Sequence, residues 1–113
     1  MKPVTIYHNA KCSKSRATLK LLRDKGIEPT VVEYLTSPPT QAALRKIVKT
    51  LGIPAAALIR TKEYSALGFR QTNDEAQLIR LMSKHPAIMQ RPIVISGDNA
   101  CLGRPPENVL KIL

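Results

Sequence analysis

The sequence is poor in aromatic residues: it has no tryptophan, one phenylalanine and three tyrosines. A hydrophobic core must therefore be built from leucine, isoleucine, valine and alanine, and 43% of the residues are hydrophobic. A length of 113 residues fits one domain with one core. We therefore expect a single domain that covers residues 1–113.

Long apolar segments are also missing. No run approaches the roughly 18 residues that a membrane-spanning helix requires. Residues 1–7 lack the longer apolar stretch of a secretory signal peptide, and their pattern predicts a strand that starts at once. We therefore expect a cytoplasmic protein with no membrane partner, and we expect a monomer.

Only two cysteines occur, Cys12 and Cys101. In the cytoplasm, where structural disulfides are rare, such cysteines are expected to be free or catalytic. Cys101 falls on a short, late strand and is expected to be a packed core residue, with the resolution of an adduct on Cys12 as the alternative. A zinc site made of these cysteines, His8 and His85 would lack any close-spaced ligand pair, so we expect no metal and no other bound cofactor.

Acidic residues are scarce: 8 Asp and Glu stand against 18 Lys and Arg, and the net charge is +10. This excess suits an anionic partner, such as a small oxyanion, an acidic protein or nucleic acid. A basic surface that only maintains solubility is the alternative. Because the basic residues are spread along the chain without a block of like charge, and aromatic residues are few, we do not expect a nucleic-acid partner.

The pattern of apolar and turn residues predicts alternating strands and helices. β-branched runs predict strands, and the spacing of leucine, isoleucine and valine predicts amphipathic helices that end at glycine or before proline. Residues 62–72 have no clear pattern. The predicted strands cover residues 2–7, 30–34, 91–95 and about 100–102. The predicted helices cover about 13–25, a segment that is capped by residues 37–40 and ends at Gly52, 54–60, a segment capped by Thr72 or Asn73 that ends before Pro86, and a last segment from residue 105.

The order of these elements is β-α-β, a helical block, and β-β-α. A strand–helix–strand unit implies a parallel pair with a right-handed crossover, and Gly97-Asp98-Asn99 supply the turn of a final hairpin. The first two strands are thus expected to be parallel and the last two antiparallel. We predict an α/β fold of the thioredoxin-like type, a mixed sheet flanked by helices, with a helical insertion at about residues 40–86.

Cys12 is the strongest candidate for a functional residue, because it lies where a polar loop gives way to a helix. The first N–H groups of a helix have no partner within it, and the helix dipole adds partial positive charge at that end. Both effects, together with the charges of Lys11, Lys14 and Arg16, lower the pKa of a thiol and favour the reactive thiolate. A buried, inert cysteine is the alternative, but its neighbours would then be apolar.

Cys12 and Ser15 form a C-x-x-C pattern in which serine replaces the second cysteine. Without that second thiol, an external thiol must resolve a mixed disulfide. The Ser15 hydroxyl is expected either to donate a hydrogen bond to the thiolate or to cap the helix. His8 is expected to act in proton transfer or to help keep Cys12 ionised, with a hydrogen bond to the backbone of its loop as the alternative.

Three segments in the same order resemble the active-site motifs of the arsenate reductase (ArsC) family: residues 8–16 (HNAKCSKSR), 91–94 (RPIV) and 103–105 (GRP). The resemblance covers essentially the whole chain and is closest to short, YfgD-like members of the glutaredoxin-linked, thioredoxin-fold type. It implies an oxidoreductase that reduces arsenate to arsenite through a thiol–arsenic adduct on Cys12. It also implies glutathione as the reducing cosubstrate and glutaredoxin as the protein partner.

The resemblance assigns oxyanion binding to Arg60, Arg91 and Arg104. Arginine suits a tetrahedral anion, because its planar guanidinium offers several donors and stays charged. We add Arg16 to this substrate-binding set, since it brings a further positive charge close to Cys12. A solvated surface charge or a salt-bridge partner is the alternative for each arginine.

Pro92 directly precedes the third predicted strand. Thioredoxin-fold proteins typically place a cis-proline there, facing the active-site cysteine. A bond before proline favours the trans form by only about 0.5–1 kcal/mol, so the cis form is accessible. We predict that the Arg91–Pro92 peptide bond is cis.

Two other functions fit parts of the same pattern. The first is a thiol-redox enzyme of this fold that acts on glutathionylated or other thiol substrates, which would need Cys12 but not all three arginines. The second is a non-enzymatic transcriptional regulator like the Spx proteins, which share this fold and bind RNA polymerase. Those proteins usually carry an intact C-x-x-C, so Ser15 argues against the second alternative.

Overall fold

The computed structural model describes residues 3–113, and its sheet consists of four strands. β1 pairs in parallel with β2 and antiparallel with β3, and β3 pairs antiparallel with β4. The predicted mixed sheet and the thioredoxin-like α/β class are confirmed. The strands are β1 (Val4–His8), β2 (Thr30–Glu33), β3 (Ile93–Ser96) and β4 (Asn99–Leu102), in the spatial order β2-β1-β3-β4.

Helix α1 (Ser13–Asp24) connects β1 to β2 and packs on the sheet together with a final 3-10 helix (Pro106–Lys111). Their buried side chains form one aliphatic core with the strands, as the shortage of aromatic residues requires. Full burial of each such side chain contributes about 1.5–3 kcal/mol, so this core holds α1 against the sheet. The core comprises Val4, Ile6, Leu22, Val94 and Val109.

The chain divides into two compact units, one that contains the sheet, α1 and the final 3-10 helix, and one formed by residues 38–90. In the second unit, α2 packs against α4. This helical unit lies where the sequence predicts an insertion, and a single domain over residues 1–113 stays a prediction. The helices of the second unit are α2 (Gln41–Leu51), α3 (Thr61–Ala66) and α4 (Glu75–Lys84), with 3-10 helices at Ala55–Leu58 and Pro86–Ile88.

The start of α4 differs from the prediction, which named Thr72 or Asn73 as its cap. The N-cap is Asp74, whose Oδ1 accepts a hydrogen bond from the Gln77 N–H at 3.2 Å. Thr72 instead accepts from the Asp74 N–H at 3.1 Å and so shapes the turn before the helix. Both residue types satisfy free N–H groups at a helix start, so the sequence alone did not choose between neighbouring caps.

Strand boundaries also differ by a residue or two. Lys2, where the first predicted strand begins, lies outside the described residues, and β1 continues as far as His8, which was expected in the loop. β3 begins at Ile93 rather than Arg91, because Pro92 has no N–H for the sheet ladder. Over residues 3–113, no helix has the length and apolar character that crossing a membrane would require.

Candidate active site

The registers of the sheet bring four residues into one row beyond the end of β1. Extending the β1–β2 register by one position sets Asn9 beside Tyr34, and extending the β1–β3 register by two positions sets Asn9 beside Arg91. The β3–β4 register, extended by two positions, sets Arg91 beside Arg104. Because α1 starts directly after Cys12, the cysteine lies at this same end of the sheet.

Cys12 is the N-cap residue of α1, and its N–H donates to the Asn9 carbonyl at 3.0 Å. The thiol is half-buried and forms no disulfide. Burial raises the pKa of Cys12, but the Ser15 backbone N–H, the Arg91 guanidinium and the Lys14 backbone N–H outweigh it and hold the pKa below its ordinary value. The helix N-terminus therefore supplies backbone donors that favour the thiolate.

Two of the predicted arginines face the sulfur. Burial opposes the charge of Arg91, but the neighbouring Tyr34 hydroxyl and Cys12 sulfur together outweigh burial and raise the pKa of Arg91 above its ordinary value. Arg104 is exposed; its Nη2 lies 3.6 Å from the Cys12 Sγ, and its Nε donates to the Arg91 carbonyl at 2.7 Å. An anion that approaches the thiolate therefore meets two cations: Arg91, which is partly buried, and Arg104, whose side chain is tied to the Arg91 carbonyl.

His8 and Ser15 form a buried pair beneath the loop, with His8 Nδ1 at 2.6 Å from Ser15 Oγ. The same hydroxyl accepts from the Asn9 N–H at 3.0 Å. Burial is the largest influence on His8 and lowers its pKa, so the imidazole is neutral at pH 7.

This geometry corrects one expectation about the Ser15 side chain. The group of Ser15 that reaches the sulfur is its backbone N–H, whereas the hydroxyl bonds to His8 and Asn9. The hydroxyl does not cap the helix either, because the N-cap is Cys12. In this arrangement His8 and Ser15 hold the loop, and their catalytic roles stay predictions.

Arg16 and Arg60 lie in different settings. Arg16 is exposed on α1, and its Nη1 donates to the Ala10 carbonyl at 2.9 Å, which ties the helix to the loop. Arg60 belongs to the 38–90 unit, where its Nε pairs with Glu63 Oε1 at 3.1 Å. It was expected at the end of a helix but is the N-cap of α3, since the preceding 3-10 helix stops at Leu58. The substrate-binding roles of both arginines stay predictions.

The Arg91–Pro92 bond is cis, as predicted, and the Arg104–Pro105 bond is cis as well. Gly103 lies against this segment, and its N–H donates to the Pro92 carbonyl at 2.9 Å. A Cβ at position 103 would come within 2.6 Å of Thr18 Oγ1 and 2.7 Å of Pro92 Cγ. Only glycine therefore allows the chain to pass this close to α1 between β4 and Arg104.

We expect Gly103→Ala to destabilise the protein by about 1–3 kcal/mol, because the new methyl group overpacks a closed contact. The melting temperature should fall by roughly 5–15 °C for a chain of this size, which thermal unfolding followed by circular dichroism measures. A melting temperature equal to that of the wild type would show that the Thr18 and Pro92 side chains move aside without cost, and this packing argument would then be wrong.

Sequence reasoning assigned no role to Asn9 and Tyr34, two buried residues that lie beside the site. Asn9 organises the loop: its Oδ1 accepts from the Lys11 N–H at 3.0 Å, and its carbonyl accepts from the Cys12 N–H. An asparagine shortly before a helix is a known turn former, so its local role had a readable signal. The sequence around Tyr34 contains no comparable signal beyond the position of this residue at the end of a predicted strand.

Residues 3–113 contain no group of three or more His, Cys, Asp or Glu side chains that could hold a metal ion. The site consists instead of a sulfur, guanidinium groups and backbone N–H groups. The guanidinium and backbone N–H groups are donors that suit an anion.

Comparison with known proteins gives consistent matches along the chain. Residues 7–112 match the family model described as the ArsC family. The chain is 47% identical over 116 aligned positions to the YfgD protein of Escherichia coli, with 99% of this chain and 98% of that protein covered. It is 46% identical over 114 positions to an arsenate reductase of Haemophilus influenzae, with 97% and 98% covered. A solved structure of an arsenate reductase from Vibrio cholerae has a TM-score of 0.87 at 43% identity, covering 99% of this chain and 98% of that one.

Proposed function

The chain belongs to the ArsC family, and from this membership we propose that it reduces arsenate to arsenite with Cys12 as the nucleophile. The observation that carries the proposal is the setting of the Cys12 sulfur, which faces two guanidinium groups and backbone N–H groups. A thiolate repels an anion, so an oxyanion substrate needs fixed cations beside the sulfur. The relatives that are named arsenate reductases support the same substrate.

The first step of the proposed reaction is the attack of the Cys12 thiolate on arsenic. An S–As bond forms, an As–O bond breaks, and the leaving oxygen takes up a proton and departs as water. Arg91 and Arg104 hold the remaining oxygens and offset the negative charge, and Arg60 and Arg16 complete the proposed binding set. His8 and Ser15 keep the loop in the conformation that presents the sulfur.

Reduction of arsenic from the +5 to the +3 state requires two electrons. Because Ser15 replaces the second cysteine of the pattern, the proposed electron source is external. The glutathione thiolate attacks the Cys12 sulfur of the adduct, so that an S–S bond forms and the S–As bond breaks with both electrons left on arsenic, which departs as arsenite. Glutaredoxin then attacks the glutathione sulfur of this disulfide, and Cys12 leaves as the free thiolate. Arsenate and two thiols thus yield arsenite, one disulfide and water. We place this reaction in the cytoplasm, on a monomer without a bound cofactor.

The direct test is arsenite formation by the purified protein supplied with arsenate, glutathione and glutaredoxin. We expect steady turnover that stops when glutathione is left out. A parallel assay uses a glutathionylated peptide in place of arsenate. Turnover of the peptide without any arsenite from arsenate would identify a thiol-redox enzyme with a different substrate.

The two cysteines are expected to ionise at different pH values. Backbone N–H groups and Arg91 lower the pKa of Cys12, whereas burial raises the pKa of Cys101. The rate of alkylation by iodoacetamide follows the thiolate fraction, so its midpoint should lie at lower pH for Cys12. The Cys101→Ser variant reports Cys12 alone, and the Cys12→Ser variant reports Cys101 alone. Equal midpoints, or the reverse order, would contradict the proposed activation of Cys12.

A further inference from the structure

Tyr34 carries a buried hydroxyl that the proposed mechanism leaves without a role. The side chain is 1% exposed, and among residues 3–113 its hydroxyl has no partner at standard hydrogen-bond geometry. A buried polar group in this state destabilises the folded protein, and phenylalanine would fill nearly the same space without that loss. The hydroxyl therefore calls for an explanation other than packing.

Donors and a negative charge surround this hydroxyl. Burial is the largest influence and raises the pKa of Tyr34; the Arg91 guanidinium and the Asn9 side chain act in the opposite direction, and the charge of Cys12 raises it again. The phenol thus stays protonated at neutral pH. The Asn9 side chain lowers the pKa of Tyr34 and therefore acts on it as a donor, through the amide N–H groups, while the Asn9 Oδ1 accepts from the Lys11 N–H.

The backbone explains why these groups meet. Tyr34 follows β2, Asn9 follows β1 and Arg91 precedes β3, and the extended registers set all three in one row. The Arg91 guanidinium faces both Tyr34 and Cys12, and its buried Nε has no hydrogen-bond partner of its own. Few protein groups therefore fix the orientation of Arg91, and Tyr34 is one of them.

We propose that Tyr34 is a positioning residue: the partial negative charge of its buried hydroxyl oxygen attracts the Arg91 guanidinium and holds this cation against the Cys12 sulfur. Tyr34 acts through Arg91 and does not touch the reacting atoms. Its consequence for oxyanion binding rests on the proposed function. Its consequence for the ionisation of Cys12 does not, because the pKa of Cys12 can be measured without any substrate.

The test is Tyr34→Phe, which removes the hydroxyl and keeps the ring. In a Cys101→Ser background, we expect the alkylation midpoint of Cys12 to move to higher pH, with an approximately threefold smaller thiolate fraction at pH 7. With arsenate, glutathione and glutaredoxin, we expect kcat/KM to fall roughly tenfold, mainly through a higher KM. A purely structural role would lower the melting temperature without moving the alkylation midpoint.

Tyr64→Phe is the matched control. Tyr64 is also buried, at 5% exposure, but it lies in the 38–90 unit and its hydroxyl donates to the Arg70 carbonyl. Loss of that hydroxyl should leave the alkylation midpoint of Cys12 where it is in the wild type. A shift of equal size in both variants would overturn the proposal, because it would reflect a general loss of stability.

A double-mutant cycle tests the route through Arg91. If Tyr34 acts only by holding this guanidinium, then Tyr34→Phe added to Arg91→Ala should cause no further shift of the Cys12 midpoint. Additive shifts, or a Tyr34→Phe midpoint equal to that of the wild type, would overturn the proposal. These shifts of the alkylation midpoint can be measured even if the wild-type protein forms no arsenite. Absence of arsenite formation would refute the proposed substrate but not the proposed role of Tyr34.

Discussion

Replacement of Cys12 by serine should abolish arsenate reduction and leave the fold intact. A serine hydroxyl is almost entirely protonated near neutral pH, and neither the helix N-terminus nor Arg91 brings its pKa into that range. The hydroxyl also cannot pass electrons to arsenic through a disulfide. We expect a loss on the order of 10³-fold or more in kcat, the scale seen when a nucleophile is removed. The measurement is arsenite formation with glutathione and glutaredoxin present.

The control for this substitution is Cys101→Ser. Cys101 is half-buried on β4 and packs against the aliphatic core, and burial raises its pKa. Arsenite formation should therefore continue in this variant at a rate close to that of the wild type. If Cys12→Ser still formed arsenite, the Cys12 sulfur would not be the nucleophile. If Cys101→Ser lost most of its arsenite formation, the resolving step would be assigned to Cys101.

The position of Cys12 could be predicted from local sequence patterns. A polar loop followed by an amphipathic segment predicts a helix that starts after Cys12, and the structure has this residue as the N-cap of α1. The prolines near the site were also informative, because the cis bond before Pro92 is as predicted. Both inferences depend on a few consecutive residues, so the sequence alone carries the necessary information.

The neighbours of the sulfur depend on contacts between distant segments. Tyr34 meets Asn9 and Arg91 only because the β1–β2 and β1–β3 registers match at the same end. A shift of one residue in either register would turn these side chains to the other face of the sheet. Sequence patterns set the face of each strand but not its register against a partner, so Tyr34 carried no readable signal.

The bond between His8 and Ser15 is a second arrangement that the sequence could not supply. Both residues were candidates to act on Cys12, and a short polar loop allows many conformations in which either one reaches the sulfur. The fold instead buries them together, because β1 continues to His8 and Ser15 lies in the first turn of α1. The backbone N–H of Ser15 then takes the position that the hydroxyl was expected to hold.

Replacement of Arg91 by alanine should have the second-largest effect on the reaction. Arg91 is partly buried and faces the Cys12 sulfur, so its charge acts with little screening from water. Its loss removes both a donor to the substrate and a group that lowers the pKa of Cys12. We expect kcat/KM for arsenate to fall by about 10²–10³-fold, as for loss of a preorganised donor at a charged transition state.

Arg104→Ala provides the comparison, because Arg104 also approaches the sulfur but is exposed to solvent. Water and salt screen an exposed charge, so we expect a loss of roughly tenfold that shrinks as ionic strength rises. Arg91→Lys should recover part of the loss in Arg91→Ala, since it restores the charge but not the planar pair of donors. Equal losses in Arg91→Ala and Arg104→Ala would show that burial does not set their importance, and the electrostatic account of the site would then be wrong.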